Sequence, residues 1–178
     1  AIPTFKALTL ARKVIGPLLS ERPSELTVIS FLNDDLSAAL GEALLAAVHA
    51  ALFQLPRISG TPPTQKTLEA IHFYGAGFQQ ADFEHVKATA EGNNLARWLT
   101  HLPGNYLTPG IYRGLTETLA KKEGWETHFY DRDELERLGA GAFLSVVEAS
   151  PVRDAGILHL KYRPDGAEGK PLALVGKG

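Results

Sequence analysis

Lys177 has the sequence context of a functional lysine. It follows the apolar stretch 172–175 and lies between Gly176 and Gly178. We expect the apolar stretch to form a buried strand, and α/β proteins place ligand sites at the carboxyl ends of such strands. The flanking glycines would let a ligand approach the backbone closely. From position alone, a functional lysine and a surface lysine that packs its aliphatic stem on apolar neighbours both remain open.

Two glycine motifs resemble nucleotide-binding loops but lack their required residues. A phosphate loop needs Ser or Thr after its lysine and a glycine five positions before Gly176, whereas the chain has Gly178 and Pro171 there. The segment 75–80 has the first two glycines of a dinucleotide fingerprint, but Gln80 replaces the third and no isolated acid follows about 20 residues on. The sequence therefore predicts a plain turn at residues 75–80.

The histidines do not have the spacing of a zinc site. No pair shows the H-E-x-x-H pattern or an i, i+4 pairing on a helix. The six are His49, His72, His85, His101, His128 and His159. We expect His72 and His159 to pack or hydrogen-bond within strands.

Acidic residues cluster just after His128 and favour a structural interpretation. The cluster consists of Asp131, Asp133, Glu134 and Glu136. Carboxylates in the first turns of a surface helix need only the helix dipole, whereas catalytic carboxylates need a pocket and separated pKa values. The sequence therefore predicts a solvated strand-to-helix turn here.

Composition excludes several classes of protein. The 178 residues carry a net charge of −2, so no global basic field attracts nucleic acid or acidic lipid. The absence of cysteine excludes disulfides, thiolate metal sites and a cysteine nucleophile. No uninterrupted apolar run reaches the roughly 18 residues that a membrane span needs, and the first residues do not resemble a signal peptide.

Hydrophobic periodicity and breakers predict alternating helices and strands. Thr108 and Pro109 are typical of a helix start, and Lys121, Lys122 and Gly124 of a helix end. Predicted helices cover 5–19, 36–55, 81–102, 108–122 and 131–138, with Pro56 ending the second. Predicted strands cover 26–32, 68–74, 125–130, 156–162 and 171–175, and a loop covers 58–67.

This alternation predicts an α/β fold with crossover connections. The best boundary lies at 75–82, which predicts an N-terminal domain over 1–78 and a second domain over 79–178, with helix 81–102 as connector. The chain has no methionine and stops just beyond an apolar stretch, so we expect it to be truncated at both ends.

From residue 94 the chain resembles the start of the catalytic domain of the leucyl aminopeptidase (cytosol aminopeptidase) family of the two-metal type. The resemblance lies in the order and spacing of several short motifs, none of them specific alone. They are Asn94–Arg97, Leu102–Pro109, Asp133–Leu144, Val147–Ser150, Ile157–Tyr162 and Leu174–Gly178. Residues 1–75 match less well and resemble the end of the family's macro-like N-terminal domain only in strand–helix–strand order. This implies a partial macro-like domain joined by a long helix to an α/β/α domain with a mixed, mostly parallel sheet.

The resemblance implies a metallo-exopeptidase that removes leucine and other bulky apolar N-terminal residues from peptides. Two divalent ions (Zn or Mn) would activate a water molecule, and Lys177 would be the first metal ligand. The other ligands, a second lysine and a bicarbonate-binding arginine would follow Gly178, so we expect this chain alone to bind neither of these two ions and to be inactive. The family also implies a cytoplasmic homo-hexamer without membrane contact.

Two other interpretations remain open. The chain could be a non-catalytic oligomerisation module or DNA-binding module, although the net charge and the lack of a basic cluster disfavour nucleic acid. It could also be half of a split protein whose second chain supplies the missing ligands.

Overall fold

A computed structural model describes residues 2–55 and 68–177 of the chain. Its contacts divide the chain into two compact units, Ala1–His101 and Leu102–Gly178. The predicted α/β class is confirmed, because helices alternate with strands in both units. The predicted loop 58–67 lies outside the described residues, and the boundary at 78/79 stays a prediction.

The first unit is built from three helices and two strands. Asn33 begins the second helix, because its side chain accepts a hydrogen bond from Leu36 N at 3.1 Å and satisfies a free donor of the first turn. Pro17 lies inside the first helix, which continues to Ser20. The helices are α1 Thr4–Ser20, α2 Asp34–Leu52 and α3 Gln80–His101. The strands are β1 Glu25–Ile29 and β2 Ala70–Tyr74.

The two strands of the first unit pair in parallel, with Leu26 opposite Ile71 and Val28 opposite Phe73. One face of this sheet packs against the helices, and Leu26 and Ile71 pack against their buried core. The alanines of α2 let α1 approach closely. The buried core consists of Ala7, Ala11, Ile15, Leu19, Ala43, Ala47 and Val48.

Helix α2 has the length and composition of a membrane-spanning helix, with a mean hydropathy of 1.4 over its most apolar window. A core helix of a folded domain passes the same test. Helix α2 carries Asp34 and Asp35 in its first turn, packs against both α1 and α3, and contributes Ala47 and Val48 to the core. We therefore interpret it as a core helix.

The second unit begins with the helix that the capping residues predicted. Thr108 accepts a hydrogen bond from Ile111 N, and Gly124 takes the left-handed conformation (φ 72°) that ends the helix. The helices are α4 Pro109–Glu123, α5 Arg132–Arg137 and α6 Gly141–Val147. The strands β3 Glu126–Tyr130 and β4 Ile157–Lys161 pair antiparallel.

One sequence prediction for the second unit is wrong, and one helix was not predicted. Residues 141–147 form α6, which periodicity could not reveal in a segment of seven residues. Residues 171–175 are irregular rather than a buried strand, and Leu172, Leu174 and Val175 are 86%, 88% and 99% exposed. A strand requires a hydrogen-bonded neighbour, and in the described part of the chain each sheet contains only two strands.

Candidate functional site

Lys177 lies in the exposed segment that follows β4. Its neighbours Leu174 and Val175 are also exposed, so the segment is not packed against the rest of the second unit. Lys177 is the one metal ligand that the sequence predicted in this chain, and the other predicted ligands would follow Gly178. Its role as a metal ligand therefore stays a prediction.

The residues present do not by themselves fit a two-metal centre. Within residues 2–55 and 68–177, no group of three or more His, Cys, Asp or Glu side chains could hold a metal ion. Two ions that share a water molecule need several ligands around both of them. Lys177 alone cannot supply that set.

The acidic run after β3 has the structural role that the sequence predicted. Asp131 Oδ1 accepts a hydrogen bond from Glu134 N at 2.9 Å and so caps α5. Glu134 accepts a hydrogen bond from His128 Nε2 at 3.1 Å, and Glu136 accepts one from Arg132 Nε at 2.9 Å. These three carboxylates are therefore occupied by partners within the fold.

A polar cavity of about 400 Å³ opens in the second unit. The Arg113 guanidinium lies 3.8 Å from the centre of the Phe129 ring and donates from Nε to Glu117 at 2.7 Å. On another wall, Asp154 Oδ2 accepts a hydrogen bond from Gly110 N at 2.8 Å and caps the first turn of α4. A Cβ at residue 110 would meet this carboxylate at 2.8 Å, so a larger residue there would displace the Asp154 side chain.

Arg132 connects this cavity to a network of charged side chains. It donates to Glu136 and, at 2.8 Å, to Glu148, while Arg153 lies 3.5 Å from Glu148. The hydrogen bond from Arg132 lowers the pKa of Glu148 and raises that of Arg132 itself. The charges in and around the cavity are thus largely compensated, which suits structural support better than ligand capture.

Sequence reasoning missed this network, although part of it was detectable. Arg113 with Glu117, and Arg132 with Glu136, have the i, i+4 spacing of helical ion pairs. The contact between Asp154 and Gly110 joins distant parts of the chain, and no local pattern could have predicted it.

A groove of about 1030 Å³ runs between the helices of the first unit. Alanines of α2, including Ala43 and Ala47, line it together with residues of α1 and α3. Nearby on α2, partial burial lowers the pKa of His49, because desolvation penalises the protonated ring. Small apolar side chains form most of the lining of the groove, together with polar residues that include Arg12, Glu42 and Arg97.

The glycine turn after β2 is a packing feature, as the sequence predicted. Gly77 has φ 85°, and a Cβ there would overlap the backbone of Asp34. Gly75 has φ 140°, and a Cβ there would lie 2.7 Å from Ser30 O. Gly77 therefore allows the turn to approach the start of α2, and Gly75 allows it to approach Ser30 after β1.

Residues 94–178 match the family model described as cytosol aminopeptidase family, catalytic domain. The match begins within α3 and runs through Lys177. The predicted resemblance is therefore confirmed for this part of the chain.

Curated relatives extend the similarity over nearly the whole chain. A probable cytosol aminopeptidase of Synechococcus elongatus is 31% identical over 99% of this chain and 36% of its own length. That of Microcystis aeruginosa is 33% identical over 97% of this chain and 35% of its own length. The chain thus spans about a third of the curated relatives that it matches.

A solved structure shows the same fold. A mutant of tomato leucine aminopeptidase aligns with a TM-score of 0.83 over 94% of this chain and 35% of that protein, at 19% identity. At this identity the similarity is one of fold alone.

Proposed function

We propose that this chain, whose residues 94–178 belong to the cytosol aminopeptidase family, is part of a metal-dependent aminopeptidase that removes N-terminal residues from peptides. The observation that carries the proposal is the uninterrupted match over 94–178, which includes Lys177. The curated relatives in turn align across both compact units. The preferred substrates, by the resemblance, begin with leucine or another bulky apolar residue.

Lys177 is the residue of this chain that we assign to the metal centre. Two divalent ions, when bound in the intact protein, would polarise the peptide carbonyl and lower the pKa of a shared water molecule. A lysine binds a metal only through its neutral amine. Neighbouring cations would favour that form, because they penalise the ammonium charge. Zn²⁺ or Mn²⁺ is the expected metal.

The chain as it stands is expected to be inactive. Among the residues that the structure describes, no cluster accompanies Lys177 to complete a two-ion site. The remaining ligands would come from sequence after Gly178, in the same polypeptide or in a second chain. The intact assembly, which we expect to be a cytoplasmic homo-hexamer, would carry the activity.

The first test is the intact mass of the protein isolated from its source, combined with an aminopeptidase assay. We expect a mass well above 19.2 kDa and release of leucine from leucyl amide in the presence of Mn²⁺. The 178-residue chain alone should release none. Activity of this chain alone, or an inactive intact protein, would contradict the proposal.

The second test assigns the role of Lys177 within the active intact protein. Lys177→Arg keeps the positive charge but cannot offer a neutral nitrogen at neutral pH, because arginine stays protonated. We expect a loss of activity of about 100-fold or more, since ligand loss commonly exceeds the 10–100-fold cost of losing an outer-shell partner. The matched control is Lys170→Arg, in the exposed segment before residue 171, which should keep full activity. Equal activities of the two variants would contradict the assignment of Lys177 to the metal centre.

A further inference from the structure

The exposed face of the β3–β4 sheet brings two histidines together. His128 of β3 lies directly opposite His159 of β4 in the antiparallel register. Cross-strand partners project to the same face with their Cβ atoms about 4.5–5.5 Å apart. The His128 side chain is 52% exposed, and His159 is also exposed. The two imidazoles are therefore adjacent and accessible to solvent.

A carboxylate fixes the proton on one of these rings. Both oxygens of Glu134 lie near His128 Nε2, at 3.1 and 3.2 Å. An ionised carboxylate only accepts hydrogen bonds, so in neutral His128 the proton resides on Nε2. The lone pair then resides on Nδ1. This carboxylate–histidine pairing is the outer-shell arrangement that orients most metal-binding histidines.

We propose that His128 and His159 bind a divalent transition-metal ion on this face, with Glu134 as the positioning residue. Two neutral imidazoles suit Cu²⁺, Ni²⁺ or Zn²⁺, whereas Mg²⁺ and Ca²⁺ prefer oxygen ligands. Water completes the coordination. The pair supplies two protein ligands, fewer than the groups of three that are absent from the described residues. This site shares no residue with the metal centre to which Lys177 is assigned.

The remaining charges on this face do not compete for the ion. Glu126 lies on the same face and accepts from Lys161 Nζ at 2.8 Å, and this bond is the main cause of its lowered pKa. His159 is close enough to lower the pKa of Glu126 further, which agrees with its position on this face. Acidic Glu134 favours a cation beside the histidine pair, whereas Lys161 balances the charge of Glu126.

Calorimetric titration of the 178-residue chain with NiCl₂ or CuCl₂ at pH 7.5 tests this site. We expect one ion per chain, held by this histidine pair. His128→Ala and His159→Ala should each weaken binding by about tenfold or more. Glu134→Ala should weaken it less than either histidine variant, by at most about tenfold, the lower end of the range for outer-shell partners.

Two control variants separate binding at this histidine pair from binding elsewhere on the chain. His85→Ala removes an exposed histidine of α3 and should leave the affinity unchanged. Lys177→Arg should also leave it unchanged, so the outcome is independent of the proposed aminopeptidase function. Histidine ring signals in NMR spectra should broaden at residues 128 and 159 on addition of Ni²⁺, while circular dichroism verifies folding of each variant. Parent-like affinity in either His128→Ala or His159→Ala, or loss of binding in Lys177→Arg, would overturn the proposal.

Discussion

Buried apolar side chains are concentrated in residues 1–101, whereas ion pairs are concentrated in residues 102–178. Among the described residues, the first unit buries Ile15, Leu19 and Val48 with several alanines, and the second buries only Ala120 and Leu135 among apolar side chains. In the same part of the chain, the first unit has one contact between a histidine and a carboxylate, His72 with Glu25, and no pair between Lys or Arg and a carboxylate. The second unit has six pairs between Lys or Arg and Glu, and the contact of His128 with Glu134.

This difference indicates that the two units depend on different forces. Apolar burial contributes about 25 cal/mol per Å² and is insensitive to screening by salt. An exposed ion pair contributes about 0–1 kcal/mol and is screened by salt. We therefore expect the first unit to withstand moderate salt better than the second. Trp98 in α3 and Trp125 before β3 allow each unit to be followed by fluorescence in variants that keep only one tryptophan.

The largest expected effect is the loss of a core side chain in the first unit. Ile15 is 3% exposed, and Ile15→Ala should lower the free energy of unfolding by about 2–5 kcal/mol. Denaturation in urea, followed by Trp98 fluorescence, measures this change. The neighbouring Val14 is 47% exposed, so Val14→Ala should cost far less. Equal losses of stability in Ile15→Ala and Val14→Ala would show that α1 does not pack its Ile15 face into the core.

The glycine turn after β2 should be the next most sensitive feature. Gly77→Ala forces a side chain into a left-handed conformation and against the backbone of Asp34, at a cost of roughly 1–3 kcal/mol. Gly92 in α3 has open space around it, and Gly92→Ala should instead stabilise the helix by roughly 0.5–1 kcal/mol. Thermal unfolding of the two variants should therefore shift in opposite directions.

In the second unit, the helix cap should contribute a smaller amount. Thr108→Ala removes the side-chain acceptor for Ile111 N and should cost about 1 kcal/mol, read from Trp125 fluorescence. Thr118 lies within α4, where its hydroxyl donates to Gly114 O. Thr118→Ala is the control and should be neutral or stabilising, because alanine is the better helix former. A neutral Thr108→Ala would mean that α4 is held by other contacts.

The smallest expected effects are changes in stability with pH, which should differ between the two units. Burial lowers the folded-state pKa of His49. The folded state therefore has its full stability above the ordinary pKa of 6.5, and it loses stability as the pH falls from 6.5 towards the folded-state pKa. Arg132 lowers the folded-state pKa of Glu148. The contribution of Glu148 to the stability of the folded state is therefore complete above the ordinary pKa of 4.5 and is lost at lower pH. We expect the first unit to weaken below about pH 6.5 and the second below about pH 4.5.

Two variants verify these pH assignments. His49→Gln should abolish the pH dependence of the Trp98 transition below about pH 6.5, and Glu148→Gln should reduce that of the Trp125 transition below about pH 4.5. Unchanged pH profiles in both variants would mean that other groups dominate the acid response of each unit.

The sequence predicted the elements that carry their own local signals. Thr108 caps α4 as expected and Gly124 ends it, because these interactions need only neighbouring residues. The glycine turn and the acidic run likewise have their predicted structural roles.

Features that depend on distant parts of the chain were missed or remain predictions. The bond from Gly110 to Asp154 and the pairing of His128 with His159 arise from the fold, which local patterns do not contain. The predicted strand 171–175 failed because apolar composition does not provide a pairing partner. The role of Lys177 rests on family resemblance and stays a prediction.

The exposed apolar segment 172–175 has a consequence for the colloidal behaviour of this chain. Short, uncharged apolar stretches associate with one another as intermolecular strands, and flanking charges oppose this. Lys170 and Lys177 flank the segment and act as such gatekeepers. Replacing Lys177 with a neutral residue would therefore promote aggregation of the isolated chain, whereas Lys177→Arg retains its solubility.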